Sequence, residues 1–162
     1  MKGFFPAARD SRLLPWAGVA ARVIVGLLFV VSGTLKASAP AEEFAVVIEN
    51  YRLIPSSASL TLATFMPWAE LLAGYCLVFG YWTRLAAVAA GGMLFTFIGA
   101  ILTTKVRGIV LPNCGCFGMG WHPSADATLV TDSLSIGLAL LAFLKGASRA
   151  SLDGWSAAGE KS

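Results

Sequence analysis

Charge is what this chain has least of. Of its 162 residues, 12 are Lys or Arg and 9 are Asp or Glu, so 13% are charged while 57% are hydrophobic. A soluble domain carries about 25% charged residues, and folding in water would leave this chain short of polar surface. Its mean hydropathy of +0.74 makes lipid the better solvent. The basic excess is only +3, with Lys and Arg spread singly. That excludes a nucleic-acid partner, because neutralising phosphates takes basic side chains gathered on one face. Histidine falls to one residue and cysteine to three. An odd cysteine count allows at most one internal disulfide and leaves a thiol over.

What is abundant is apolar sequence in long runs. A helix needs about 20 apolar residues to cross about 30 Å of hydrocarbon, and four runs qualify: residues 16–35, 58–80, 85–104 and 127–144. Every backbone polar group must be paired inside lipid, so these are helices. The expected fold is all-α, an integral membrane four-helix bundle over residues 16–145, with segments 1–15 and 146–162 on the cytoplasmic side. The tail after Lys145 is expected to be a mobile end. The first run is a span rather than a cleaved signal peptide, because it is longer than a signal core and Pro40 would follow the cut at Ala37-Ser38-Ala39.

Basic residues set the orientation. With both termini inside, Lys2, Arg9, Arg12, Arg84, Lys145, Arg149 and Lys161 are cytoplasmic, seven against the four outside, Lys36, Arg52, Lys105 and Arg107. The segment 105–126 then lies outside, in the periplasm of a Gram-negative cell. Between the first two spans, Phe44, Val47, Ile48 and Tyr51 recur at helical spacing. They predict a short amphipathic helix over 40–51 that lies on the outer surface or caps the bundle, opened by Pro40 and ended by Pro55.

The strongest local chemistry is Asn113-Cys114-Gly115-Cys116-Phe117-Gly118. Two cysteines at i and i+2 meet only if the chain bends sharply, which Gly115 permits. Strained, exposed disulfides are the readily reduced ones, and an outer location lets disulfides persist. The candidate catalytic residues are Cys114 and Cys116, with His122 to lower a thiol pKa or relay a proton. Two other readings of the pair stay open. It is a static staple of the loop, or, with Met119 and His122, it offers soft ligands to Cu(I). Cys76, within the second span, reads as a small buried residue.

Glu70 and Asp132 are carboxylates inside spans, so they should face the bundle interior and find a partner or a proton. Arg22 and Lys36 are the basic candidates. Glu70 is also a candidate for proton transfer. With Trp68 and Asp132 it is a candidate wall for a redox cofactor, of which a quinone is the natural one in lipid, although core packing is the commoner fate of a tryptophan at such a depth. Pro67 would open the helix beside Glu70.

Four markers occur in order: Ser32-Gly33 with Lys36; Phe44, Ile48, Tyr51 and Pro55; Pro67, Glu70 and Gly74; and Cys114-Gly115-Cys116-Phe117-Gly118 followed by Asp132. Together, over about residues 22–144, they resemble the DoxX/MauE-like family of small four-helix membrane proteins, with the Cys-Gly-Cys element pointing to its MauE side. The resemblance implies a bacterial inner-membrane protein that handles disulfides with a periplasmic thioredoxin-like protein or a disulfide-bearing substrate protein. On the MauE side the implied substrate is methylamine dehydrogenase. On the DoxX side the implied role is a subunit of thiosulfate:quinone oxidoreductase or a related redox complex. The leading expectation is thiol–disulfide exchange through Cys114 and Cys116. The rivals are a non-catalytic membrane subunit or assembly factor, and a Cu(I)-handling protein.

Overall fold

The computed structural model describes residues 13–109, 124–145 and 151–153. Five helices make up nearly all of it: α1 (Leu13–Ala37), α2 (Ala41–Asn50), α3 (Ser56–Phe79), α4 (Thr83–Val106) and α5 (Ala125–Lys145), and no strand occurs among the described residues. Four of them are long and apolar enough to cross a membrane, over Trp16–Ala37, Ser56–Phe79, Thr83–Val106 and Asp126–Lys145. Each runs slightly past its apolar core, since backbone pairing continues beyond the last apolar side chain. The chain is a multi-pass membrane protein.

The long helices close into a ring. α1 packs on α3 and α5, and α4 bridges α3 and α5, while α2 lies against α3 and touches α1. The ring is inside out by the standards of a soluble protein. Phe65, Leu72, Phe79, Phe95, Leu134 and Leu140 point outward, while Ala63, Ala73, Ala86, Ala90, Ala139 and Ala142 fill the centre. Lipid tails are as apolar as leucine, so outward apolar side chains are no burden there, and small inward residues let backbones approach. α1 approaches α3 closely at two glycines. A Cβ on Gly26 would stand 2.9 Å from the Gly74 carbonyl oxygen, and one on Gly33 would stand 2.9 Å from that of Pro67. α3 continues as a helix through Pro67, which has no N–H to donate to Ala63; the Pro67 carbonyl lies against α1.

α2 forms where its apolar stripe predicts. Phe44, Val47 and Tyr51 are buried in one cluster with Ala63 of α3 and Ile101 of α4, so the helix caps the bundle. It ends at Asn50, ahead of Pro55: Arg52 turns the chain at φ 51°, and Pro55 instead precedes the first turn of α3. This corrects the expected terminator.

The opposite end of the bundle is tied by the tail. α3 stops at Gly80 (φ 69°), where Gly80 N–H donates to Leu77 O and Tyr81 N–H to Cys76 O, the left-handed close that glycine favours. Trp82 follows at φ 48°, a strained conformation for a bulky residue. The Asp153 carboxylate accepts from Trp82 N–H and Thr83 N–H at 2.8 Å each, and Asp153 N–H donates to Gly80 O at 3.1 Å. Ser151–Asp153 therefore docks on the α3–α4 turn rather than moving freely. Burial pushes the Asp153 carboxyl up, but hydrogen bonds from Thr83 and Trp82 and the charge of Arg22 outweigh it, holding it below the usual range.

A buried polar site shared by all five helices

Ser32 and Lys36 lie four residues apart on α1 and so share a face. Both point at Glu70 of α3. Lys36 Nζ donates to Glu70 Oε1 at 2.5 Å, and Ser32 Oγ donates to Glu70 Oε2 at 3.0 Å. The pair is dry, with Lys36 3% exposed and Glu70 1%. Aromatic rings cover the ammonium: Lys36 Nζ stands 5.1 Å from the ring centre of Phe44 on α2 and 5.0 Å from that of Phe97 on α4, within cation–π range. α5 supplies Asp132, which is 5% exposed and within electrostatic reach of Lys36 and Glu70.

Between Glu70 and Asp132 lies a cavity of about 40 Å³, lined also by Ser32, Phe97, Thr131 and Ser135. Binding pockets for drug-sized ligands run about 300–1,000 Å³, so this space does not fit a quinone ring as it stands. It fits water, which needs about 10–15 Å³. A larger apolar groove of about 130 Å³ adjoins it across Phe97, bounded by Phe44, Ile48, Tyr51 and Met66.

Sequence reasoning placed Glu70 and Asp132 inside, and the structure brings both to one cavity, with Lys36 bonded to Glu70. Arg22 goes elsewhere. It lies at the tail-tied end, where a Cβ on Gly80 would stand 2.1 Å from its Nη1, near Asp153. Trp68 is not brought into the site or the core. It is 64% exposed, because two helical steps from Glu70 turn it about 200° away. Phe97, Thr131 and Ser135 were missed. For Ser135 a signal existed: Thr128, Asp132 and Ser135, all buried, recur at i, i+4 and i+7 in an otherwise apolar span, a stripe that leaves out Thr131. Nothing local singles out Phe97.

Cys114, Cys116 and His122 lie outside the described residues, as does Met119. The stems that carry them are described. Lys105 near the end of α4 pairs with Asp126 at the start of α5, and Arg107 Nη1 donates to Arg52 O at 3.1 Å, joining the stem to the α2–α3 turn. Asp132 is seven residues from Ala125, about 10 Å along a helix, so the polar site lies toward the end of the bundle where α4 stops and α5 starts. Cys76 carries a free thiol and packs half-buried against the α1–α3–α4 core. Among the described residues no group of three or more His, Cys, Asp or Glu could hold a metal ion.

The family model described as methylamine utilisation protein MauE matches residues 14–145. Among curated proteins, the methylamine utilization protein MauE of Paracoccus denitrificans is 33% identical over 137 residues, covering 85% of this chain and 73% of that protein. The protein of the same name from Methylorubrum extorquens is 35% identical over 117 residues, covering 72% of this chain and 62% of its own length. That from Paracoccus versutus is 33% identical over 135 residues, covering 80% and 70%. No solved structure matches the chain.

Proposed function

Since the chain belongs to the MauE family, we propose that it is a membrane accessory component that performs thiol–disulfide exchange through Cys114 and Cys116 on a protein partner in the periplasm. A thiolate of a thioredoxin-like partner or of a disulfide-bearing substrate protein attacks the Cys114–Cys116 disulfide and forms a mixed disulfide. The partner's second thiolate resolves it. The partner then holds the new disulfide, and the pair has taken up two electrons and is reduced. The observation that carries this reading is the Cys-Gly-Cys spacing on a segment whose two stems are clamped together by Lys105 and Asp126. The clamp holds the two ends of the segment together, and a ring closed over so short a spacing is strained and readily exchanged. Service in methylamine utilisation, the role named for the relatives, belongs to the same proposal.

A quinone is proposed as the onward electron acceptor. No step is routed through the Glu70–Asp132 cavity, which is too small for its ring. Full partner oxidation in quinone-free detergent removes that part of the proposal.

The deciding experiment is the in-cell redox state of Cys114 and Cys116, by acid quench and thiol alkylation before and after a reducing pulse. A mixed population that recovers within minutes supports exchange. A pair oxidised throughout makes the cysteines a staple and the protein a non-catalytic assembly factor. That rival draws support from the Lys36–Glu70 pair, which clamps helices without needing chemistry.

A further inference from the structure

The polar site has more acid than base. Lys36 is matched by Glu70, and Asp132 is a second carboxylate facing the same cavity. The groups around Asp132 can be named from each packed element. α1 presents the Ser32 hydroxyl and the Lys36 ammonium, α3 presents Glu70, and α4 presents only Leu94 and Phe97. Its own helix adds Thr131 and Ser135. Of the other bases in spans or stems, Arg22 lies by Gly80 and Asp153 and Lys105 pairs with Asp126, and Lys36 is the base whose charge bears on Asp132. Among the described residues Asp132 therefore has no cation of its own. Its Oδ2 is buried and receives no hydrogen bond from them.

A carboxylate this deeply buried does not keep an unmatched charge; it acquires a counter-charge. We propose that the cavity is a binding site for one small monovalent cation, held on Asp132 and surrounded by the oxygens of Ser32, Glu70, Thr131 and Ser135. Size and charge both limit the occupant. About 40 Å³ admits an ion or a water or two. Two carboxylates and one ammonium leave a single negative charge, which a divalent ion would overshoot. Two sources share this chemistry. One is a proton carried on Oδ2, which then donates to Glu70 or to water; the other is Na+, a hard cation suited to carboxylate and hydroxyl oxygen. The site rests on helix geometry alone, so inactive cysteine variants leave it untouched.

The test uses the full chain in nanodiscs, melted between about pH 5 and about pH 9 at constant ionic strength, in choline chloride or in sodium chloride. A cation bound only by the folded state must be lost as pH rises in choline. The expected result is a melting temperature that falls by about 3 °C or more toward high pH. Sodium that restores it at high pH assigns the site to Na+; sodium without effect assigns it to a proton, and both support the proposal. Asp132→Asn should abolish both dependences. A wild-type melt flat with pH and with sodium overturns the proposal, as does an Asp132→Asn variant that keeps the wild-type dependence. Should that variant not fold, infrared spectra of the wild type decide. A protonated-carboxyl band that disappears toward high pH, or on adding sodium, supports the site. Spectra unchanged by either overturn it.

Discussion

Lys36 and Glu70, 34 residues apart in sequence, meet at 2.5 Å with essentially no solvent on either side chain. Removing one member of a buried pair costs about 3–5 kcal/mol, because the other charge is left unmatched. The two deletions are not equivalent here. Glu70→Gln leaves Lys36 with Asp132 nearby as a substitute partner, whereas Lys36→Met leaves two carboxylates together. Lys36→Met is therefore the more damaging, and the double variant Lys36→Met/Glu70→Gln should cost clearly less than the sum of the single changes. Unfolding in nanodiscs, run as a double-mutant cycle, measures this. Strict additivity would mean that the pair does not hold the bundle.

The α1–α3 contact predicts a contrast among glycines. Gly74→Val sets a side chain against the Gly26 carbonyl oxygen and the Val30 backbone nitrogen, both at 2.9 Å from the new Cβ. It should destabilise by about 1–3 kcal/mol or more, as overpacking does. Gly91→Ala and Gly92→Ala, on α4, meet nothing within 4 Å. They should be neutral, or stabilising by up to about 1 kcal/mol through helix propensity. Thermal melts of the three variants side by side give the comparison.

How much of this was legible beforehand follows from what sequence encodes locally. The number of spans and the α2 stripe were readable because length and periodicity are properties of single segments. Glu70 and Asp132 were readable as inward-facing because lipid penalises them whatever surrounds them. Partner choice was not. Lys36 and Arg22 sit on one helix with similar credentials, and only the way α1 packs against α3 and α5 sends Lys36 to Glu70 and Arg22 toward Asp153. Trp68 was misread for a different reason: its depth was weighed without its helix phase, which sets it about 200° from Glu70. The docking of Ser151–Asp153 depends on a contact spanning 70 residues, which no local pattern announces.

Asp153 should matter to stability in a pH-dependent way. Its carboxylate satisfies two backbone donors at the start of α4, and losing such a cap costs about 1 kcal/mol. Its pKa lies below the ordinary value in the folded chain, against about 3.9 unfolded. Its contribution is then fully present above about pH 4 and lost as pH falls through the folded value. Asp153→Ala should lower the melting temperature at neutral pH, and the gap from wild type should close in acid. A gap that persists unchanged at low pH would contradict this account.

The cysteines separate cleanly by location. Cys76→Ser replaces a half-buried thiol and should leave partner oxidation intact at a modest cost in stability, while Cys114→Ser and Cys116→Ser should each abolish it. A gel assay of partner thiols distinguishes the three. Activity surviving in both loop variants would leave the assembly-factor reading in place.

The tail's hold on the α3–α4 turn also fixes when the bundle can be finished. Trp82 and Thr83 are synthesised before Asp153, so the first amides of α4 rest on water until the chain has grown by 70 residues. Completion of this end is therefore a late step of biosynthesis, after all four spans have entered the bilayer. A truncation ahead of Asp153 would yield a protein that inserts but lacks this lock.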